Sequence, residues 1–164
     1  MKSKTAPLSL LVLLTISLLA NSCKKDTQGT VESLMTRGTW QLASVMVFNY
    51  VGSTNTSTDT LNTKCLLDQT FTFNADNTCN YKNFACFDQS VNGQWQLSED
   101  KVTLMATLAC KDTLNKVNIT SKPFAYARII NLGQYSMVLE TGDLSSFYLA
   151  TDKRHIKRYG FVRF

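Results

Sequence analysis

Residues 38–51 read Gly38-Thr39-Trp40-Gln41-Leu42-Ala43-Ser44-Val45-Met46-Val47-Phe48-Asn49-Tyr50-Val51. Aromatic and β-branched residues fill the run and no proline interrupts it, which suits a pleated, half-buried backbone. The alternation predicts a strand from Thr39 to Val51, with Trp40, Leu42 and Ser44 on one face and Gln41, Ala43 and Val45 on the other. Just ahead, Thr30 can cap a short helical turn through Met35, closed by Gly38.

The same grammar repeats downstream. Gly52 to Thr63 reads as a Ser/Thr/Asn loop with Leu61 its only apolar residue. A second strand runs from Cys65 to Asn74, with Phe71 and Phe73 on one face. Asp76-Asn77 makes a hairpin turn into Thr78 to Asn83. Gly93 to Ser98 carries Trp95 and Leu97 together, and Glu99-Asp100 turns into Lys101 to Ala109. Leu114 to Leu132 is broken by Pro123, which belongs at an edge or bulge. Tyr135 to Glu140, Ser145 to Thr151 and Ile156 to Phe164 complete the pattern. These intervals are too short for crossover helices, so the reading is an antiparallel meander of about eight or nine strands. About eight such strands can close into a barrel, whose interior holds side chains alone or one small ligand.

Composition bounds the rest. The chain has 164 residues, 44% of them hydrophobic and 18% charged, enough for one ordinary globular domain. Residues 1–22 read apart from it. Lys2 and Lys4 precede the apolar run Leu8 to Ala20, too short for a permanent span and shaped like a secretory signal. Its end, Leu19-Ala20-Asn21-Ser22-Cys23, resembles the bacterial lipobox, in which the cysteine is lipidated and becomes the mature N-terminus. Removing the signal takes away Lys2 and Lys4 and no acid, so the formal charge falls from +5 to +3. That mild excess carries no nucleic-acid reading, which needs clustered Lys/Arg in a reader fold.

Four cysteines then remain: Cys65, Cys79, Cys86 and Cys110. An exported chain meets an oxidising compartment, so two disulfides are expected, with three pairings open. Zinc is disfavoured, since no C-x-x-C is present and the single histidine, His155, is far along the chain.

Several motifs occur in a telling order. Gly38-x-Trp40 opens the first strand after a helical turn. Cys65-x-x-Asp68, Phe71-Thr72-Phe73-Asn74-x-Asp76-x-Thr78, Cys86 and Gly93-Gln94-Trp95-Gln96-Leu97 come after it. Together they resemble the lipocalin-like lipoproteins of Bacteroidota over residues 31–164. The resemblance implies an antiparallel up-and-down β-barrel, with Gly38 and Trp40 as its structural motif at the closed end. It also implies a Cys65–Cys86 disulfide, leaving Cys79 with Cys110.

No nucleophile elbow, P-loop, dinucleotide or zinc-protease motif occurs. His155 lies in the basic run Lys153-Arg154-His155-Ile156-Lys157-Arg158 and reads as a solvated strand end, with the lysines and arginines as ordinary surface charge. Asp68, Asp76, Asp88, Glu99 and Asp100 read as turn and strand-end carboxylates rather than a glycosidase pair. Asp59-Thr60-Leu61 and Asp112-Thr113-Leu114 look like the O-glycosylation acceptor sequence of Bacteroidota, in loops. Phe71, Phe73, Tyr81, Trp95, Phe124 and Tyr126 are candidates to line a ligand cavity, or equally to form plain core.

The expectation is therefore all-β: a lipocalin-like barrel of about eight strands with a short N-terminal helical turn. Residues 1–22 would be a lipoprotein signal, 23–30 a lipidated tether and 31–164 the barrel. It would be a monomer anchored at the outer membrane through Cys23, on the periplasmic face or the cell surface. There it would bind a small apolar or amphipathic ligand without catalysis, metal, cofactor or nucleic acid. The alternative is a filled barrel serving as a structural or protein-interaction lipoprotein. Replacing Cys23 with Ser is expected to move the protein from the membrane fraction to the soluble one, read by fractionation; unchanged retention would refute lipidation.

Overall fold

The computed structural model describes residues 26–61, 64–114 and 117–164. The expected signal segment and Cys23 lie outside these residues. Helix α1 (Asp26–Thr36) leads into β1 (Thr39–Val51) and β2 (Thr54–Leu61). Next come β3 (Thr70–Phe73), β4 (Thr78–Lys82), a 3-10 turn (Phe84–Cys86), β5 (Ser90–Leu97) and β6 (Thr103–Ala106). A hairpin of β7 (Cys110–Leu114) and β8 (Val117–Ser121) is next, then β9 (Ala127–Leu132), β10 (Ser136–Gly142) and β11 (Lys153–Val162).

Eight of these strands close on themselves. The ring runs β1-β3-β4-β5-β6-β9-β10-β11, and β11 pairs back onto β1, every pair antiparallel. Closure removes the exposed edges that an open sheet would leave. β2 extends the outer half of β1, pairing Val45 to Val51, while β3 pairs Thr39 to Gln41 on the same edge. The β7–β8 hairpin forms its own two-stranded sheet at one end of the barrel.

Several boundaries differ from the sequence reading, among them the helix, which begins at Asp26 inside the expected tether, and β3, which begins at Thr70 and not Cys65. The polar Gly52 to Thr63 stretch holds strand β2, because its backbone pairs with β1 although all its side chains are exposed. Ser145 to Thr151 is irregular rather than a strand, since β10 ends at Gly142 and β11 begins at Lys153. Gly142 has φ 100°, and a Cβ there would collide with the carbonyl of His155, so only glycine makes this exit. Both Asp-Thr-Leu tripeptides lie in strands, β2 and β7, instead of loops, for the same pairing reason.

The first strand also departs from simple alternation. Its register against β11 shifts between Leu42 and Ser44. This bulge turns Val45 inward to join Trp40 in the core, where strict alternation put the two on opposite faces. Gly160 stands opposite Ser44, and a Cβ on it would come within 2.6 Å of the Ser44 hydroxyl.

The end beside α1 is closed by a clasp. The Trp40 indole N–H donates to the Met35 carbonyl at 2.9 Å, and Trp40 and Met35 are fully buried. The Arg163 guanidinium lies 4.4 Å from the centre of the Trp40 ring. It donates to the Leu34 carbonyl at 2.8 Å and to the Gln134 carbonyl. Gly38 leaves the room this needs, since a Cβ there would stand 3.3 Å from Arg163 Cδ. A cation–π contact out of water contributes about 2 kcal/mol, and the two carbonyls satisfy a charge otherwise costly to bury.

Above the clasp, aromatic rings fill the barrel. Phe71 packs on Phe73 at 4.0 Å, on Tyr81 at 5.1 Å and on Phe124 at 5.0 Å between ring centres. Trp95 meets Phe73 edge-on at 5.4 Å, and Tyr159 meets Phe124 at 5.0 Å. Among the expected cavity-lining residues, Phe71, Phe73, Tyr81, Trp95 and Phe124 are thus core. Tyr126 is corrected outright: it is 61% exposed, because residues 122–126 turn rather than extend and strand alternation does not carry from Phe124.

Cys65 and Cys86 are bonded, with Cα atoms 5.7 Å apart, as the resemblance implies. The bond closes a loop of 21 residues, contributing about 3 kcal/mol in the chain-entropy account. It braces a turn in which Asn83, Ala85 and Cys86 take φ of 58°, 51° and 63°, a left-handed conformation that non-glycine residues resist. The second pairing is corrected. Cys79 and Cys110 are free, buried thiols, each packing as a small apolar group in the core.

Replacing Trp40 with Ala is expected to cost about 3–5 kcal/mol of stability, measured by denaturant titration. A loss below about 1 kcal/mol would mean that the clasp is not what closes this end.

Candidate binding site at the mouth of the barrel

The end opposite α1 is built differently. Along β11 the inward positions run Phe161, Tyr159, Lys157 and His155, facing Leu42, Val45, Val47 and Asn49 of β1. The inner wall therefore grades from buried aromatic rings to half-buried and exposed polar groups within four steps. Tyr159 is the floor of the polar region.

The β7–β8 hairpin leans over this floor. Gln89 pins it, donating from Nε2 to the carbonyls of Lys111 and Phe84 at 2.9 Å each and accepting from the Lys111 N–H at 2.8 Å. The hairpin brings Asp112 above Tyr159. One carboxylate oxygen of Asp112 accepts from the Ser121 hydroxyl at 3.0 Å and the other from the Thr113 N–H at 2.7 Å.

Two hollows flank Asp112. One, of about 250 Å³, lies between Val47, Pro123, Thr141 and His155. The other, of about 190 Å³, lies between Val45, Leu61, Phe84 and Ala85. Asp112, Lys157 and Tyr159 line both. A larger groove of about 470 Å³ runs along the outer wall past Gln94, Gln96 and Met105, but its carboxylate, Asp76, is engaged by the hydroxyl and N–H of Thr78 at 2.6 and 3.0 Å. The mouth is the place where apolar walls and uncompensated charge converge.

His155 is tied into this region. Its Nδ1 lies 2.6 Å from the Asn49 carbonyl oxygen, while the Asn49 amide donates to Ser57 at 2.9 Å and Asp59 at 3.1 Å. The orientation of the Asn49 amide makes Nδ1 the protonated nitrogen. In the sequence the run 153–158 reads as one solvated strand end. The structure splits it: Lys157 and His155 face the mouth, whereas Arg154 and Arg158 face outward. Arg154 stacks 3.6 Å from the Tyr148 ring centre, and Arg158 lies 4.6 Å from that of Phe48 and pairs with buried Glu140 at 2.6 Å. Extending the alternation of Tyr159 and Phe161 backwards would have found this division.

Asp112, Ser121 and Thr141 carry no strand signal that marks them, and only the hairpin's position brings them to the mouth. No cluster of three or more potential metal ligands occurs among the described residues.

The lipocalin-like domain family matches residues 36–125, more than half of the chain. The chain belongs to this family. The match ends before β9, and the closure by β9, β10 and β11 completes the lipocalin-like barrel. No curated protein matches the chain. Lipocalin-like domains generally bind molecules rather than transform them, which makes the mouth of this barrel the place to look for a ligand.

The buried thiols and phenols of the barrel stay neutral at ordinary pH. Burial pushes the Cys79 thiol up to about 11 and the Cys110 thiol up to about 12, the Asp112 charge adding to the latter. Burial likewise raises Tyr81 and Tyr159 well above the ordinary phenol range; Asp112 reinforces this at Tyr159 and the Thr141 hydroxyl opposes it. A group with a raised folded-state value stabilises the fold fully below its unfolded value and loses that contribution as pH climbs to the folded one. Melting temperature is therefore expected to show no loss from these groups up to about pH 9, then to fall as pH rises toward 11–12. Differential scanning fluorimetry across that window checks this, and a flat profile would refute the burial of these thiols and phenols.

Proposed function

We propose that this is a lipid-anchored cell-envelope protein of the lipocalin-like family that binds a compact amphipathic molecule at the barrel mouth, without catalysis. The observation that carries the binding reading is the pair of hollows meeting at Asp112, Lys157 and Tyr159 above a ring-filled interior. The rings of Phe71, Phe73, Tyr81, Trp95 and Phe124 pack on one another below these hollows, which favours a ligand seated on the aromatic cluster. The anchor reading is supported by the lipobox-like Leu19 to Cys23. The outer membrane is the location consistent with it.

A second reading has its own support. The filled core suits a protein that works through its loops, and the segment between β10 and β11 shows Phe147 92% exposed and Leu149 69% exposed. That segment is held rather than loose, with the Leu149 N–H on Asp152 at 2.7 Å and Arg128 on the Leu144 carbonyl at 2.6 Å. In this reading the protein is an envelope accessory recognising another protein.

Native mass spectrometry after gentle extraction separates the two. A small molecule should be retained by the wild type and lost from Val47→Trp, which fills the larger mouth hollow, with melting temperature within a few degrees. Absence of any adduct from the wild type, or equal retention by the variant, would overturn the mouth reading in favour of the loops.

A further inference from the structure

Granted that the mouth is the binding site, its charges specify more than an amphipath. The ion pairs among the described residues are Lys101–Glu32 and Arg158–Glu140. Neither Lys157 nor Asp112 takes part in one, although both are half-buried and line the same two hollows. Unlike charges so placed would attract strongly at reduced dielectric and close into a pair if their supports allowed it.

Their supports hold them apart. Asp112 is oriented by Ser121 and the Thr113 N–H on a hairpin pinned by Gln89. Lys157 rises from β11, whose register against β1 and β10 is set by the barrel wall. The remaining charges nearby do not cancel them: Lys122 and His155 sit on the exposed rim, and Asp59 on β2 is engaged by Asn49. The mouth therefore offers charges of both signs along its hollows, with lone pairs on Asp112 left over beside those that Ser121 and Thr113 use.

We propose that Asp112 and Lys157 form a recognition pair for a compact zwitterion, Asp112 taking its ammonium group and Lys157 its carboxylate. A simple anion would meet the repulsion of Asp112, and a simple cation that of Lys157. An occupant carrying both signs satisfies both walls at once. Size narrows it further, since each hollow lies below the ~300 Å³ at which drug-sized sites begin. Val45, Leu61 and Phe84 on one side, and Val47 and Pro123 on the other, leave an apolar slot for a short side chain. This is the chemistry of an apolar α-amino acid.

The test is an amide NMR titration of the full chain with norleucine, hexanoate and hexylamine, which share a short apolar chain and differ in head-group charge. Norleucine is expected to move the amides of Val47, Asp112 and Lys157 and to bind at least about tenfold more tightly than either singly charged probe. Asp112→Asn and Lys157→Gln should each weaken norleucine about tenfold or more. The exchanged pair Asp112→Lys with Lys157→Asp should recover binding, which a merely structural role would not produce. If hexanoate or hexylamine matches norleucine at the mouth and the single variants change nothing, the zwitterion proposal is overturned while the mouth site stands. If no probe moves the mouth amides, both fall.

Discussion

Arg163 stacked on Trp40 is the contact on which the barrel's closure depends. One residue opens the first barrel strand and the other directly follows the last, so their contact draws together the two ends of the eight-strand ring. The same guanidinium reaches Leu34 in α1 and Gln134 between β9 and β10, tying helix and hairpin to the joint. A Cβ at Gly38 would crowd the guanidinium stem, standing 3.3 Å from Arg163 Cδ. Closure by β1 and β11 is thus a ladder of backbone bonds locked at one end by one buried charge.

From that locked end the interior hardens and then opens. Rings from β3, β4, β5, β11 and the residues before β9 pack together, leaving polar groups only where β11 passes Tyr159. A barrel of eight strands has room for side chains or for one small ligand. Here aromatic side chains take the lower part, and the hollows that Asp112, Lys157 and Tyr159 line lie at the mouth. The bulge at Ser44 contributes to this arrangement by turning Val45 inward as the step between aromatic plug and polar rim.

The mouth is held by devices spread over distant segments. The Cys65–Cys86 bond fixes the 3-10 turn with its left-handed residues. That turn ends near Gln89, and Gln89 grips the β7–β8 hairpin bearing Asp112. Reducing the disulfide would loosen this chain of supports before it loosened the core. These supports fix where the Asp112 carboxylate stands at the mouth.

Much of the fold was legible in local residues. Alternation showed most of the strands, and the family resemblance implied both Gly38 and Trp40 at the closed end and the Cys65–Cys86 bond. Where reading failed, tertiary pairing had overridden pattern. β2 has no buried face to announce it, Tyr126 lies in a turn, and Cys79 and Cys110 pack as unbonded core thiols. The basic run 153–158 offered no apolar alternation, so its inward and outward members looked alike. The sequence by itself determined one domain of about eight or nine antiparallel strands, because that follows from periodicity and composition, while the barrel was what its family resemblance implied. Only the tertiary structure decided that Asp112 and Lys157 line the same hollows, because that depends on where a hairpin 45 residues before Lys157 comes to rest.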